Sequence, residues 1–240
     1  MNIIADLHTH TIACTHAYST ITENCACAYE NGMKAIAMTD HAPSMPDAPH
    51  IWHFNNLHIL PRKIKGVTVL RGIEADILPG KEALDVDGEL LSTLDWVVAS
   101  IHSPLFIPSD SNAVTNAYLR ICENRYVDVI GHPTTLKFRF DMVKCIKRFK
   151  EYGKMIELNE SSISAGRSTA EICRELLLLC KKYEVPVVVN TDAHFCELVG
   201  RFDLCREILD SVSFPEELVF NSEWDKVRQH IINKHGDIGI

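Results

Sequence analysis

The sequence predicts an α/β protein in which seven strand–helix repeats close, or nearly close, into a barrel. Three observations predict it. Short β-branched runs recur along the 240 residues, helix-like stretches with start and stop signals separate them, and metal-capable side chains stand where nearly every strand ends. The strands are expected at Ile3 to Leu7, Ala35 to Met38, Val67 to Ile73, Trp96 to Ser100, Val127 to Ile130, Met155 to Leu158 and Pro186 to Val189. Short links between alternating strands and helices imply parallel strands, right-handed crossovers and helices on the outer side of the sheet.

The first strand runs into His8-Thr9-His10. Thr20 with Glu23, in capping-box spacing, then starts a helix that Asn31-Gly32 stops. The second strand leads to Asp40-His41 and the third to Glu74. Between them, His41 to Pro61 carries four prolines together with Trp52, His53 and Phe54; it reads as a long irregular stretch, either a lid, an oligomer contact or a plain surface excursion. The fourth and fifth strands lead to His102 and His132. After the sixth, Ser168 with Glu171 forms a second capping-box spacing, and the helix it opens aligns Ile172, Leu176, Leu179 and Cys180 as a core stripe. The seventh strand ends at Asp192 and His194, and Leu218 to Phe220 is a candidate for a degenerate eighth.

Composition narrows the class. With 46% hydrophobic residues, the chain can bury the core of one large domain spanning residues 1–240. Neither a secretory leader nor a membrane-length apolar run is evident, so a cytoplasmic location and no membrane partner are expected. Nine cysteines, with no C-x-x-C and one C-x-C at Cys25 and Cys27, suit reduced buried thiols better than a disulfide framework. A net charge of -8 disfavours an extended nucleic-acid surface, which needs clustered Lys and Arg. A metal-rich pocket can still attract phosphate within an acidic protein.

In a parallel barrel the C-terminal strand ends share one face, where active sites are built. His8, His10, His16, His41, Glu74, His102, His132, Asp192 and His194 would therefore meet in one pocket. His8 and His10, on alternate residues, point to one side roughly 6.5 Å apart. Any one of these histidines alone is better read as a buried imidazole bonded to a carbonyl. Seven of them with two carboxylates at strand ends outweigh that reading, because such a crowd without a common partner is costly to desolvate. His50, His53, His58, His230 and His235 fall elsewhere and receive no catalytic role. Nine donors exceed the four of a single zinc and suit two or three metals, with Glu74 the natural bridge. Imidazole-rich ligation favours Zn, Mn or Fe over Mg or Ca.

The H-T-H opening, His16, T-D-H at Thr39 to His41, G-I-E at Gly72 to Glu74, S-I-H at Ser100 to His102, G-H-P at Gly131 to Pro133 and T-D-A-H at Thr191 to His194 resemble the PHP (polymerase and histidinol phosphatase) superfamily, most closely its YcdX-like phosphatase branch. The resemblance implies a distorted (β/α)7 TIM-like barrel, three divalent ions that are typically zinc, and phosphatase activity on a small phosphorylated substrate. It also implies a grouping: His8, His10, Glu74 and Asp192 for the first metal; His16, His41 and His194 for the second; Glu74, His102 and His132 for the third. The expected reaction uses a metal-bridging hydroxide and no side-chain nucleophile, leaving Cys14 to packing. Asp6 and Asp40 are candidates to orient imidazoles and equally to be solvated turn residues, and Lys137, Arg139, Asn159, Ser161, Arg167 and Arg201 are candidates for holding phosphate or leaving group. Three rivals stand beside this expectation: an amidohydrolase-type deaminase, a 3′-5′ DNA exonuclease and a non-catalytic metal-binding module. The sequence leaves the oligomeric state open, a homo-oligomer included.

Overall fold

The computed structural model describes residues 1–79 and 84–240. Seven parallel strands follow one another in chain order around the sheet: β1 (Ala5–Thr9), β2 (Ala35–Met38), β4 (Val67–Asp76), β5 (Trp96–Ser100), β6 (Val129–Ile130), β7 (Met155–Asn159) and β8 (Val187–Asn190). The remaining strand, β3 (Lys63–Ile64), pairs antiparallel with β4 as a short hairpin. The helices are α1 (Ile21–Glu30), α2 (Ile51–Asn55), α3 (Gly88–Leu91), α4 (Ser111–Ile121), α5 (Met142–Glu151), α6 (Glu160–Ser164), α7 (Ala170–Tyr183), α8 (Asp203–Ser211) and α9 (Trp224–His235).

The ring closes between β1 and β8 by two different devices. At the C-terminal end the backbone just past β8 pairs with the end of β1: Asp192 N–H donates to His8 O and His10 N–H to Ala193 O, each at 2.9 Å. At the opposite end a side chain substitutes for a strand. Buried Asn221 donates from Nδ2 to Ala5 O and Val189 O, both at 2.7 Å, and accepts from Val189 N at 3.0 Å. The eighth strand expected at Leu218 to Phe220 is therefore absent; two 3-10 turns flank one isolated bridge from Val219 to Val187. An amide side chain with donor and acceptor together satisfies both edges without a ladder.

Strand alternation sorts the core into two layers. Ala5, Leu7, Ala35, Ala37, Leu70, Trp96, Val98, Val129, Met155 and Val188 point inward, where Val227 and Ile231 of α9 plug the barrel from its N-terminal end. The opposite faces, including Ile36, Val69, Val97, Ile130, Ile156 and Val189, pack against the outer helices. A buried polar network locks the plug in place: Asp128 accepts from Lys234 Nζ at 2.7 Å, Val97 N at 2.8 Å and His230 Nε2 at 2.8 Å.

Local signals behave unevenly. The Thr20–Glu23 capping box forms at α1. The one expected from Ser168 does not, because Thr169 is the N-cap of α7 and accepts from Ile172 N, while Ser168 turns toward Cys173. The buried stripe of α7 is Ile172, Cys173, Leu176, Leu177 and Cys180, with Leu179 only half-buried. The stretch from His41 to Pro61 is less irregular than expected: α2 and a following 3-10 turn send Phe54 and Leu57 into the core. No described helix is long and apolar enough to cross a membrane.

Candidate metal centre

Above the apolar layer, the inward positions of the strands turn polar, and the site is built there. On β1 alternation alone would send His8 outward, since Leu7 belongs to the inner layer. A register shift between Asp6 and Thr9 interrupts the pairing with β2, so that Leu7 and His8 both face in. Glu74 and Asp76 occupy successive inward positions on the long strand β4, and Glu157 and Asn159 do so on β7. Two residues hold left-handed backbone at the rim, His132 at φ 26° and Asp192 at φ 55°, the kind of strain that persists where a site requires it. Gly131, just before His132, is required by close approach: a Cβ there would lie 2.1 Å from Ser100 Oγ.

Glu74 is the hub. Its Oε2 lies 2.8 Å from His41 Nδ1, 3.3 Å from His8 Nε2 and 3.5 Å from His10 Nε2. Its Oε1 lies 2.9 Å from His132 Nε2 and 3.4 Å from His102 Nε2. Asp192 Oδ1 adds a second carboxylate, 3.1 Å from His10 Nε2 and 3.7 Å from His8 Nε2. His194 stacks on His10 with ring centroids 4.2 Å apart, and half-exposed His16 sits 4.4 Å from His194 and 5.4 Å from His41. All nine expected donors thus line one cluster.

The donor chemistry fits metal ions. His8 Nε2, His10 Nε2, His41 Nδ1, His194 Nε2 and Glu74 Oε2 are buried without a hydrogen-bond partner, although they face one another. Unpaired buried lone pairs are costly, and divalent cations satisfy them all at once. Three triads drawn wholly from the nine residues bring donor atoms within 4.8 Å of one another, namely His8, His10 and Glu74; His10, His41 and His194; and His41, Glu74 and His102; two more add neighbours, His10 with Cys14 and Asp40, and His16 and His41 with Asp47. The charges agree. Burial pushes His10 down to about 3, with His194 and His41 adding to the effect, which leaves its imidazole neutral. Burial works against ionisation of Glu74, but His8, His102 and His41 outweigh it and hold the carboxyl well below its ordinary range. Asp192 is likewise held down against burial by His8 and His10.

The groups that orient the imidazoles are not those expected. Asp40 accepts from Thr11 N and Thr11 Oγ1 and faces His53 at 3.3 Å, and Asp6 accepts from Thr191 and Gly200 N. Neither takes a bond from the nine donors. That task falls to Glu157 on His8 Nδ1 (2.7 Å), Asp76 on His102 Nδ1 (2.7 Å), Asp47 on His16 Nδ1 and the Asp192 carbonyl on His194 Nδ1 (3.0 Å). A sequence signal existed for two of them. Glu157 interrupts an apolar strand at an inward position, and Asp76 lies one inward step beyond Glu74.

The mouth is a cavity of about 190 Å³ whose wall includes Met45, Ile101, Ser103, Thr135, Phe138 and Arg167 beside the donors. Arg167 donates to Ser161 Oγ at 2.9 Å and lies 3.5 Å from Asp192 Oδ2. Lys137 reaches the rim by donating to Ser103 Oγ. Asn159 is instead buried structure, capping α6 and bridging Glu157 to Asp192, so phosphate cannot use it. Arg139 and Arg201 are exposed and outside the cavity wall. Buried Cys14 accepts from His41 N, and burial raises its thiol further from thiolate, consistent with packing.

Residues 6–172 match the PHP domain. The chain belongs to the PHP domain family. It is 42% identical, over its whole length and 95% of the relative, to a probable phosphatase of Caldanaerobacter subterraneus subsp. tengcongensis. A probable phosphatase of Clostridium novyi is 40% identical over 98% of this chain and 96% of its own length. Among solved structures, histidinol phosphate phosphatase from Lactococcus lactis subsp. lactis, complexed with zinc, L-histidinol and phosphate, superposes with a TM-score of 0.62 at 14% identity, covering 90% of this chain and 95% of that one. A chain of an archaeal ribonuclease P shares the fold similarly, with a TM-score of 0.63 at 14% identity over 98% of this PHP chain and 94% of its own.

Proposed function

We propose that this PHP protein is a metal-dependent phosphatase that hydrolyses small phosphomonoesters at a trinuclear centre held by His8, His10, His16, His41, Glu74, His102, His132, Asp192 and His194. The observation that carries the proposal is the single carboxylate, Glu74, with five imidazole nitrogens within 3.5 Å of its two oxygens. One carboxylate so placed could serve adjoining cations with its two oxygens, which a neutral imidazole cannot do. The zinc in the L. lactis phosphatase and the imidazole-rich donor set support zinc, with manganese or iron at one or more positions as the alternative. Full-length similarity to probable phosphatases supports the reaction class, and the motifs from His8 to His194 favour the YcdX-like branch of the family.

Bound divalent ions would supply Lewis acidity, lowering the pKa of a coordinated water and neutralising phosphate charge. The chain supplies the rest. Asp192 and the imidazoles fix where donor atoms point, while Glu157, Asp76 and Asp47 hold the far ring nitrogens still. Arg167, tethered by Ser161, stands at the cavity wall where a phosphate oxygen would enter and offers a planar fork to it. Met45, Ile101 and Phe138 contribute apolar surface to the same cavity. The small cavity favours a terminal phosphate over an internal diester, and the net charge of -8 disfavours a DNA strand.

The test is hydrolysis of an aryl phosphate, a bis-aryl phosphodiester and single-stranded DNA by the purified protein, before chelation, after it, and after zinc is restored. Chelator-sensitive turnover of the monoester above the other two is expected. Preferential turnover of DNA would make the protein an exonuclease, and stable metal content with no turnover would make it a binding module.

A further inference from the structure

We infer that Glu157 is a positioning residue that sets the tautomer of His8 and pins the backbone of His132, thereby serving two of the proposed metal sites from one carboxylate. The inference rests on the metal-centre reading above. Glu157 is fully buried on β7 and receives four donors. Its Oε1 takes His8 Nδ1–H at 2.7 Å and Asn190 Nδ2 at 2.8 Å. Its Oε2 takes His132 N–H at 2.6 Å and Asn159 Nδ2 at 3.0 Å.

The consequence for His8 is one of proton placement. An ionised carboxylate only accepts, so His8 carries a proton on Nδ1, which leaves Nε2, 3.3 Å from Glu74 and 3.7 Å from Asp192, as the nitrogen able to ligate an ion held with them. Asn190 fixes the carboxylate in turn, because its own Oδ1 is occupied by Leu7 N–H at 2.9 Å, next to His8 in the chain. The consequence for His132 is one of backbone. Its left-handed φ of 26° is strained for a non-glycine residue, and the bond from its N–H to Glu157 opposes relaxation. Asn159 extends the arrangement to a third donor, reaching Asp192 Oδ2 at 3.3 Å. Asp76 and Asp47, by contrast, each hold a single ring.

Glu157→Gln separates these roles. The amide puts one donor where two acceptors stood, and the His132 N–H cannot reverse its polarity whereas the His8 ring can. The Gln oxygen should therefore keep His132, and its NH2 should face His8, forcing His8 into the Nε2–H tautomer that cannot ligate. Asp76→Asn should do the same to His102 alone. The experiment records ring-nitrogen NMR signals of zinc-loaded wild type, Glu157→Gln and Asp76→Asn, and zinc retained against a graded chelator. Expected for Glu157→Gln are the reversed His8 tautomer and an affinity for one of three zinc ions lowered about 10–100-fold. The His16, His41 and His194 signals should not move. An unchanged His8 tautomer with wild-type retention overturns the inference, as does an equal loss of all three ions, the mark of a merely structural residue. A wild type that retains no zinc sinks the metal-centre reading itself, a result distinguishable from either.

Discussion

Replacing Glu74 with glutamine is the sharpest perturbation of the proposed centre. The change preserves volume and leaves one oxygen in place of two. In the native site Oε2 faces His8, His10 and His41 between 2.8 and 3.5 Å, and Oε1 faces His132 and His102 at 2.9 and 3.4 Å. An amide nitrogen is no ligand, so either the first group or the second loses its carboxylate. A catalytic metal contributes several kcal/mol of charge stabilisation in the transition state. Taking about 4 kcal/mol at 1.36 kcal/mol per decade, kcat should fall about a thousandfold. The assay is steady-state hydrolysis of an aryl phosphate with metal per chain measured on the same sample, and a melting curve confirms that the variant is folded. Three metals retained with kcat within about tenfold of wild type would refute the bridging role.

Four further outcomes are expected. Arg167→Ala should raise KM about 10–100-fold, the loss of one charged hydrogen bond, while exposed Arg139→Ala stays near wild type. Asn221→Ala strands Ala5 O, Val189 O and Val189 N in the interior and should cost about 3 kcal/mol or more in urea unfolding. Asp128→Asn breaks a buried pair; since Lys234 keeps contacts with the carbonyls of Asp95 and Tyr126, the cost should be about 2–3 kcal/mol, below the usual 3–5, lowering Tm by about 4–12 °C. Burial opposes ionisation of Asp128, but Lys234 and His230 hold its carboxyl below the ordinary value. A depressed folded value makes this contribution present above the unfolded value of about 3.9 and lost as pH falls through the folded one. The gap between Asp128→Asn and wild type should therefore shrink as pH falls below about 4, as urea titrations at each pH would show.

Strand order and the convergence of nine side chains from His8 to His194 were legible because parallel strands repeat one local pattern and deliver their ends to one face. Period-two reasoning sufficed for Glu74 and for the spacing of His8 and His10. It could not show that Leu7 and His8 share a side, because that depends on a shift in pairing with β2 that leaves no local mark in the chain. Nor could it assign Asp6 and Asp40. Asp40 adjoins His41 and so faces away from it, and Asp6, two residues before His8, is separated from it by the same register shift; the carboxylates that reach the rings come from other strands, Glu157 on β7 and Asp76 on β4, and from the loop after β2, Asp47. The expected eighth strand failed for a related reason. Val219 alone reaches β8, and Asn221 completes the closure by side-chain bonding that hydrophobic pattern does not encode. In the loop after β2, α2 is only five residues long and is stabilised by burying Phe54 rather than by any helix propensity visible in a proline-rich stretch.

The convergence of donors from His8 to His194 on adjoining cations is tested most directly by anomalous diffraction at the zinc edge from crystals of the metal-loaded protein. Three peaks are expected inside the barrel mouth, with Glu74 oxygens shared between two of them. A single peak distant from Glu74, or none where the five imidazoles face its carboxylate, would contradict the account.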